Sequence, residues 1–369
     1  MDLSWFLSSD GLANELQSPP PAADIFILAS RGDTSALSSA LRKGAPPDIV
    51  VNGWHAIHAA AAKNHVGCLE LLLRHHGKGD LAIKTSSGET SLVLGARHGH
   101  LETVKLIIEY GGGNAISKDI ALKAAAHGGH LSTCQFLVEE AGADVRSTTA
   151  EGMTACLIAA AAGQRDTFLF FASMRCGLLS VVSASGQTCL HKATSAGSLD
   201  IVNVIIAHNA ALSAGEASEA VYLDETSEAG VAACHLASSG GHTRILLALA
   251  HAGADVHCLT TAGQSCLHKA CFEGNIETVD VLISMGLDVD KADTNGYTPL
   301  ICAASGGRSR IVERLCSSSL SVGVFAKLPS GEDAAILATS NGFKDLASKI
   351  TRHQYLQMRQ AALRGEAPL

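Results

Sequence analysis

Apolar positions recur along this chain in a two-part rhythm. In TSLVLGARHGHLETVKLIIEYG (90–111), an apolar run of about eight residues is followed by a Gly and then by a longer apolar run. Leu101, Val104, Leu106, Ile107 and Ile108 are spaced to give the second run a helical apolar face. The first run is rich in small residues (Ala59, Ala60 and Ala61 in one copy, Ala303 and Ala304 in another), which let neighbouring helices approach closely. The pattern predicts a short helix, a tight turn and a second helix. Gly stands at the turn in most copies (Gly32, Gly99, Gly129, Gly163, Gly197, Gly241, Gly274, Gly307, Gly342), and Asn64 replaces it once. Both residue types tolerate the positive φ that such a turn needs. Two short helices cannot bury an apolar side alone, so stacking on neighbouring pairs is obligatory.

The rhythm is a sequence repeat. SGETSLVLGARHGH (87–100), SGQTCLHKATSAGS (185–198), AGQSCLHKACFEGN (262–275) and NGYTPLICAASGGR (295–308) are variants of one pattern. Weaker copies occupy 52–65, 151–164, 229–242 and 330–343, and a copy at 118–130 lacks the leading Gly. The leading glycines Gly53, Gly88, Gly152, Gly186, Gly230, Gly263, Gly296 and Gly331 are separated by 35, 64, 34, 44, 33, 33 and 35 residues. The 64 spans the degenerate copy, and the 44 carries an insertion of about 11 residues. A period near 33 with T-P-L-H-x-A wording resembles the ankyrin-repeat family. The resemblance covers nearly the whole chain, with about nine copies and a truncated first one at 27–45. It implies an all-α repeat: an ankyrin-repeat solenoid of about ten helix-turn-helix units with β-hairpin fingers. AGADVRSTTAEG (141–152), AGADVHCLTTAG (252–263) and MGLDVDKADTNG (285–296) match the finger pattern.

The expected organisation is an N-terminal tail or cap at 1–23, a continuous solenoid at 24–343 and a C-terminal capping helix and tail at 344–369. Leu3, Trp5, Phe6 and Leu7 read either as a cap over the first repeat or as a docking motif. The segment 344–363 does not resemble the recruitment boxes with which some ankyrin proteins bind ubiquitin ligases. The insertion, 212–228, carries Glu216, Glu219, Asp224, Glu225 and Glu228 without Lys or Arg, and reads as a functional or a mobile surface loop.

Composition narrows the function classes. Aromatics are only 4% of 369 residues, so the core must be built from Ala, Leu, Ile, Val and Cys. The net charge of −8 argues against a nucleic-acid binder. No apolar run approaches the roughly 18 residues of a membrane span. The start MDLSWFLSSDG has no secretory, mitochondrial or myristoylation signal, so the expected setting is cytoplasmic, with nothing against the cytoskeleton or nucleus. The 11 Cys then read as reduced thiols.

Cys266, His268 and Cys271, or Cys189 with His191, suggest zinc, which needs about four converging ligands. The repeat accounts for them otherwise. His58, His191, His235 and His268 occupy the T-P-L-H slot, where the family's His links neighbouring loops by hydrogen bonds. Cys189 and Cys266 replace the pattern's Pro, and Cys271 fills a small buried slot. His65, His100, His130 and His242 recur at the start of the second helix. No phosphate loop, nucleophile elbow or zinc-protease helix is present. The sequence therefore predicts no enzyme, no cofactor and no metal.

What remains is a non-enzymatic scaffold, a monomer outside any complex, binding a partner protein or peptide on the concave face. The alternative is a regulatory adaptor or inhibitor that binds and targets an enzyme complex, switched by phosphorylation near Thr226 or Ser227. In the family, contacts come from the residue after the leading Gly and from exposed positions of the first helix. Carried over, these are Trp54 and Tyr297 on fingertips and Lys63, Arg97, His98, Lys192, Lys269 and Phe272 on inner helices. Glu89, Met153, Gln187, Gln264 and Glu332 are the other fingertips, and Glu273 is a further inner-helix position. Lys63, Lys84, Arg97 and Lys118, with His98 and His127, gather positive charge suited to an acidic peptide.

Overall fold

The computed structural model describes residues 23–47, 50–76, 81–174, 177–211, 222–317 and 323–364. The N-terminal segment 1–22 and residues 212–221 of the insertion lie outside them. The chain divides into two compact units, Met1–Ser147 and Thr148–Leu369. The repeat spacing gives no sign of this division.

Twenty α-helices lie among the described residues, alternating first and second members of pairs. The N-terminal unit holds α1 (Ala23–Arg31) and α2 (Thr34–Arg42), α3 (Ala56–Ala62) and α4 (Val66–His76), α5 (Ser91–Arg97) and α6 (Leu101–Glu109), and α7 (Ala115–Gly128) and α8 (Leu131–Glu139). The C-terminal unit holds α9 (Ala155–Ala161) and α10 (Arg165–Ser173), α11 (Cys189–Ser195) and α12 (Leu199–Ala211), and α13 (Ala233–Ser239) and α14 (Thr243–His251). It continues with α15 (Cys266–Glu273) and α16 (Ile276–Ser284), α17 (Pro299–Ser305) and α18 (Ser309–Leu315), and α19 (Ala334–Ser340) and α20 (Lys344–Arg364). Within each unit, first helices pack on first helices, as α3 on α5 and α15 on α17, and each second helix packs on its own partner.

Local chemistry explains the short first helices. Thr154 opens α9 by accepting the Leu157 amide on its hydroxyl at 3.3 Å, and Asp333 does the same for Ile336 at 2.9 Å in α19. A left-handed residue closes the turn that follows: Gly274 has φ +99°, and Asn64, the one substitute, has φ +58°. All nine turn glycines named from the sequence share this conformation. The first helices are buried nearly all round, as in Ala56–Ala61 and Ser91–Ala96. Second helices bury one side, such as Thr103, Val104 and Ile107 of α6. The core is aliphatic, with Phe168 and Phe171 its largest fully buried side chains.

The fingers are tight turns rather than the expected β-hairpins. Only Val50–Val51 (β1) and Trp54–His55 (β2) pair as antiparallel strands among the described residues. Elsewhere two amides close the turn, as Thr260 N–H to Gln264 O at 3.0 Å with Gly263 N–H to Thr260 O at 2.8 Å, and Asp293 N–H to Tyr297 O at 2.8 Å with Gly296 N–H to Asp293 O at 3.0 Å. The helix N-cap follows directly in these fingers, as it does in the paired one, where His55 is both strand residue and N-cap. Successive fingers in the C-terminal unit are joined instead: Ala184, Glu228, Thr261 and Thr294 amides donate to Glu151, Ser185, Ala229 and Ala262 carbonyls at 2.9, 3.2, 3.2 and 3.0 Å. At the end of the chain, α20 packs on α19 and buries Leu346, Ala347 and Ile350.

Candidate protein-binding face

Two sets of side chains hold the repeats in register. The first is the T-P-L-H histidine. Nδ1 of His58, His191, His235 and His268 accepts the N-cap amide of its own helix (His55, Thr188, Ala232, Ser265) at 3.1, 3.2, 3.2 and 3.1 Å. Nε2 donates to a carbonyl of the following repeat (Ile83, Val231, Gln264, Tyr297) at 3.1, 2.9, 3.1 and 2.9 Å. Because Nε2 faces carbonyl oxygens, the rings are neutral with the proton on Nε2. Burial holds His58, His191 and His268 below the usual imidazole pKa.

The second set sits at the start of the second helices. Nε2 of His65, His100 and His130 donates to Ser30, Ala62 and Arg97 carbonyls near the ends of the preceding first helices at 3.2, 3.0 and 2.8 Å. Asn275 and Arg308 make the equivalent bonds to Ser238 and Phe272 at 2.9 and 2.8 Å. These carbonyls lie at helix ends, where regular intrahelical partners run out.

This framework fixes where the predicted contact residues stand. Lys192 and Lys269 are the fourth residues of α11 and α15. Arg97 and Phe272 are the seventh residues of α5 and α15, and Lys63 and His98 are the C-caps of α3 and α5. Positions four, seven and eight share one helix side. Trp54 and Tyr297 immediately precede the N-caps His55 and Thr298.

The individual environments differ. Phe272 is 48% exposed, Lys63 and His98 are exposed, and Lys192, Lys269 and Tyr297 are half-buried. Trp54 is also half-buried, its ring edge-on to His58 at 6.2 Å, so it braces the first finger as well as facing outward. His98 stacks on His100 at 5.8 Å and 27°; burial lowers its pKa, and His100 and Arg97 lower it further.

Four details correct the sequence reading. Arg97 is ion-paired with the fingertip Glu89, so it is not an unspent cation. Lys118 donates from Nζ to the Ala141 carbonyl at 2.9 Å. Of Lys63, Lys84, Arg97 and Lys118, Arg97 is thus partly neutralised, and the Lys118 ammonium is tethered to the backbone while keeping its charge. Met153 is only 9% exposed, so this fingertip residue turns inward. Ser227 is 8% exposed with its hydroxyl accepting the Val231 amide at 3.3 Å, which removes it as a ready phosphorylation site and leaves exposed Thr226.

Cys266, His268 and Cys271 do not form a ligand group. His268 Nδ1 faces the Ser265 hydroxyl at 2.8 Å, and both thiols are fully buried in packing positions. The convergent group among the described residues is a different one: Cys234, His235 and Cys258, whose ligand atoms lie within 4.8 Å of one another. Sequence spacing missed it because Cys258 belongs to a finger 24 residues beyond Cys234. A signal was present: the position three before the histidine is His55, Thr188 or Ser265 in the other repeats that keep it, and Ala232 here.

The comparisons agree with this architecture. A family model described as Ankyrin repeats (3 copies) matches residues 25–120, 121–216 and 234–326. The chain belongs to the ankyrin-repeat family. Potassium channel AKT1 of Oryza sativa subsp. indica is 34% identical over 84 residues, 23% of this chain and 9% of the channel. Human Ankyrin repeat and SOCS box protein 3 is 34% identical over 89 residues, 24% of this chain and 17% of that protein. Human BCL-6 corepressor-like protein 1 is 32% identical over 128 residues, 35% of this chain and 7% of that protein. The chain thus spans less than a fifth of the length of each of these relatives. Ankyrin repeats are protein–protein interaction modules and are generally non-enzymatic. Among the described residues, no helix is long and apolar enough to cross a membrane.

Proposed function

We propose that this chain is a non-enzymatic scaffold of about ten repeats that captures a partner protein or peptide on the concave side of its first helices and fingers. The observation that carries the reading is Phe272. It is a large aromatic left 48% exposed on a first helix, in a protein poor in aromatics, and offers the apolar anchor around which an interface hot spot can form. Lys269 lies three residues before it on the same helix side, so an aromatic anchor and a cation are presented together. That pairing suits a peptide with an apolar residue beside a carboxylate. The acidic balance of the chain favours such a partner over nucleic acid.

Phe272→Ala is expected to weaken partner binding by about 2 kcal/mol, in the range of an interface hot spot. Lys269→Glu is expected to slow association and reverse its salt dependence. Calorimetry and stopped-flow kinetics on a partner captured by the full chain provide the measurements. Affinity unchanged in both variants would remove this face from the account. The adaptor reading rests on exposed Thr226 beside Asp224 and Glu225; partner selection that changes on phosphorylating Thr226 would favour it.

A further inference from the structure

We propose that Cys234, His235 and Cys258 form a binding site for one thiophilic divalent cation of the zinc type. Cys234 Sγ lies 3.3 Å from Cys258 Sγ, and His235 Nδ1 lies 4.0 Å and 3.9 Å from the two sulfurs. A tetrahedral ion with bonds of about 2.3 Å to sulfur and about 2.0 Å to nitrogen separates its ligands by roughly 3.5–3.8 Å. The observed triangle needs shifts of only a few tenths of an ångström to accept it.

Three features favour a metal here over a chance meeting of buried thiols, the first shared with the other three histidines of this slot and the last two particular to this repeat. First, His235 Nε2 donates to the Gln264 carbonyl at 3.1 Å, leaving Nδ1 as the lone-pair nitrogen on the thiol side. A backbone carbonyl that fixes the other ring nitrogen is the usual outer support of a metal-bound histidine. Second, the neighbouring repeats on either side fill the space at Nδ1 with a hydroxyl: Thr188 at 2.9 Å from His191 and Ser265 at 2.8 Å from His268. His235 has Ala232 at that position, and the two sulfurs stand near Nδ1 instead. Third, Cys234 is 2% exposed whereas Cys258 is only half-buried, which gives an ion a way in and a water the fourth position.

Thiolate and imidazole select zinc-like or softer ions over magnesium and calcium. Binding is an exchange: both thiols lose their protons to solvent as two sulfur–metal bonds form, and the Ala232 amide gives up its share of Nδ1. Because two protons are released for each ion bound, affinity rises with pH.

The test uses the full chain, reduced and freed of metal, titrated with Co(II) and then Zn(II). The expected result is one Co(II) per chain with thiolate-to-cobalt charge-transfer absorption, displaced by Zn(II), and a melting temperature raised by Zn(II). Cys258→Ser should weaken Co(II) binding by at least about 100-fold, beyond the usual effect of an outer-sphere change. Cys316→Ser, at another incompletely buried thiol, should leave it unchanged. Absence of the charge-transfer band in the wild-type chain would overturn the proposal, whether or not the variants fold. So would an undiminished band in folded Cys258→Ser. A Cys234–Cys258 disulfide in air, with no Co(II) bound after reduction, would mark the pair as redox chemistry and equally overturn it.

Discussion

Replacing Gly230 by Ala is expected to destabilise the C-terminal unit by about 3 kcal/mol, whereas Gly331→Ala should cost only about 1 kcal/mol. The two glycines occupy the same finger slot with similar backbones, φ +68° and +86°. They differ in what lies beyond. A Cβ on Gly230 would sit 2.6 Å from the Thr261 backbone nitrogen of the next finger, while a Cβ on Gly331 would meet nothing within 4 Å. The left-handed penalty is common to both. The excess at Gly230 therefore measures the close approach of one finger to the next, where Thr261 N–H donates to Ala229 O at 3.2 Å. Urea melts of the two variants provide the comparison. Because repeats couple to their neighbours, faster hydrogen exchange should concentrate around the Thr261 finger. Equal losses at both glycines would mean that finger-to-finger packing contributes nothing.

His268→Leu should cost about 2–4 kcal/mol, since it leaves the buried Ser265 amide without a partner and removes one of the two bonds to the Tyr297 carbonyl while keeping an apolar filling. The same residue links stability to pH. His58, His191 and His268 have pKa values lowered by burial, so the unfolded chain takes up protons that the folded chain refuses. Their stabilisation is complete above the ordinary imidazole pKa, about 6.5, and is lost as pH falls below it. The wild-type melting temperature should drop between about pH 7.5 and pH 5, and His268→Leu should show a shallower drop because one of the refusing groups is gone. A wild-type melting temperature independent of pH over that interval would contradict the neutral-histidine account.

The parts legible in the sequence are those fixed by the backbone and by the period. Nine glycines and Asn64 marked left-handed turns because few residues tolerate that conformation. The apolar spacing of 101–108 marked a one-sided second helix, and α6 buries Val104 and Ile107. What stayed hidden depends on contacts that periodicity does not encode. Arg97 reaches back eight residues from the end of α5 to Glu89 on the finger, a pairing made by the fold of that repeat and not by helical spacing. Met153 occupies a fingertip slot, yet its side chain turns inward, since an apolar thioether gains more from burial than from water. Strand pairing was expected in the fingers and, among the described residues, occurs at Val50–Val51 with Trp54–His55, while elsewhere tight turns take its place although every finger leads just as directly into its helix. The Cys234, His235 and Cys258 group joins a helix to a later finger, so a search for ligands within one helix passes over it.

The central claim is that partners bind to the side of the first helices and fingers rather than to the second helices. Lysines report both sides. Lys63, Lys192 and Lys269 stand on first helices or their C-caps, whereas Lys105 on α6 and Lys349 on α20 have side chains 37% and 49% exposed on second helices. Lysine-reactive cross-linking of a captured complex, read by mass spectrometry, separates the two faces. The expected result is cross-links to the partner at Lys63, Lys192 or Lys269, diminished by Phe272→Ala in step with its weaker capture. Cross-links concentrated on Lys105 and Lys349, with the first-helix lysines unmodified by the partner, would contradict it.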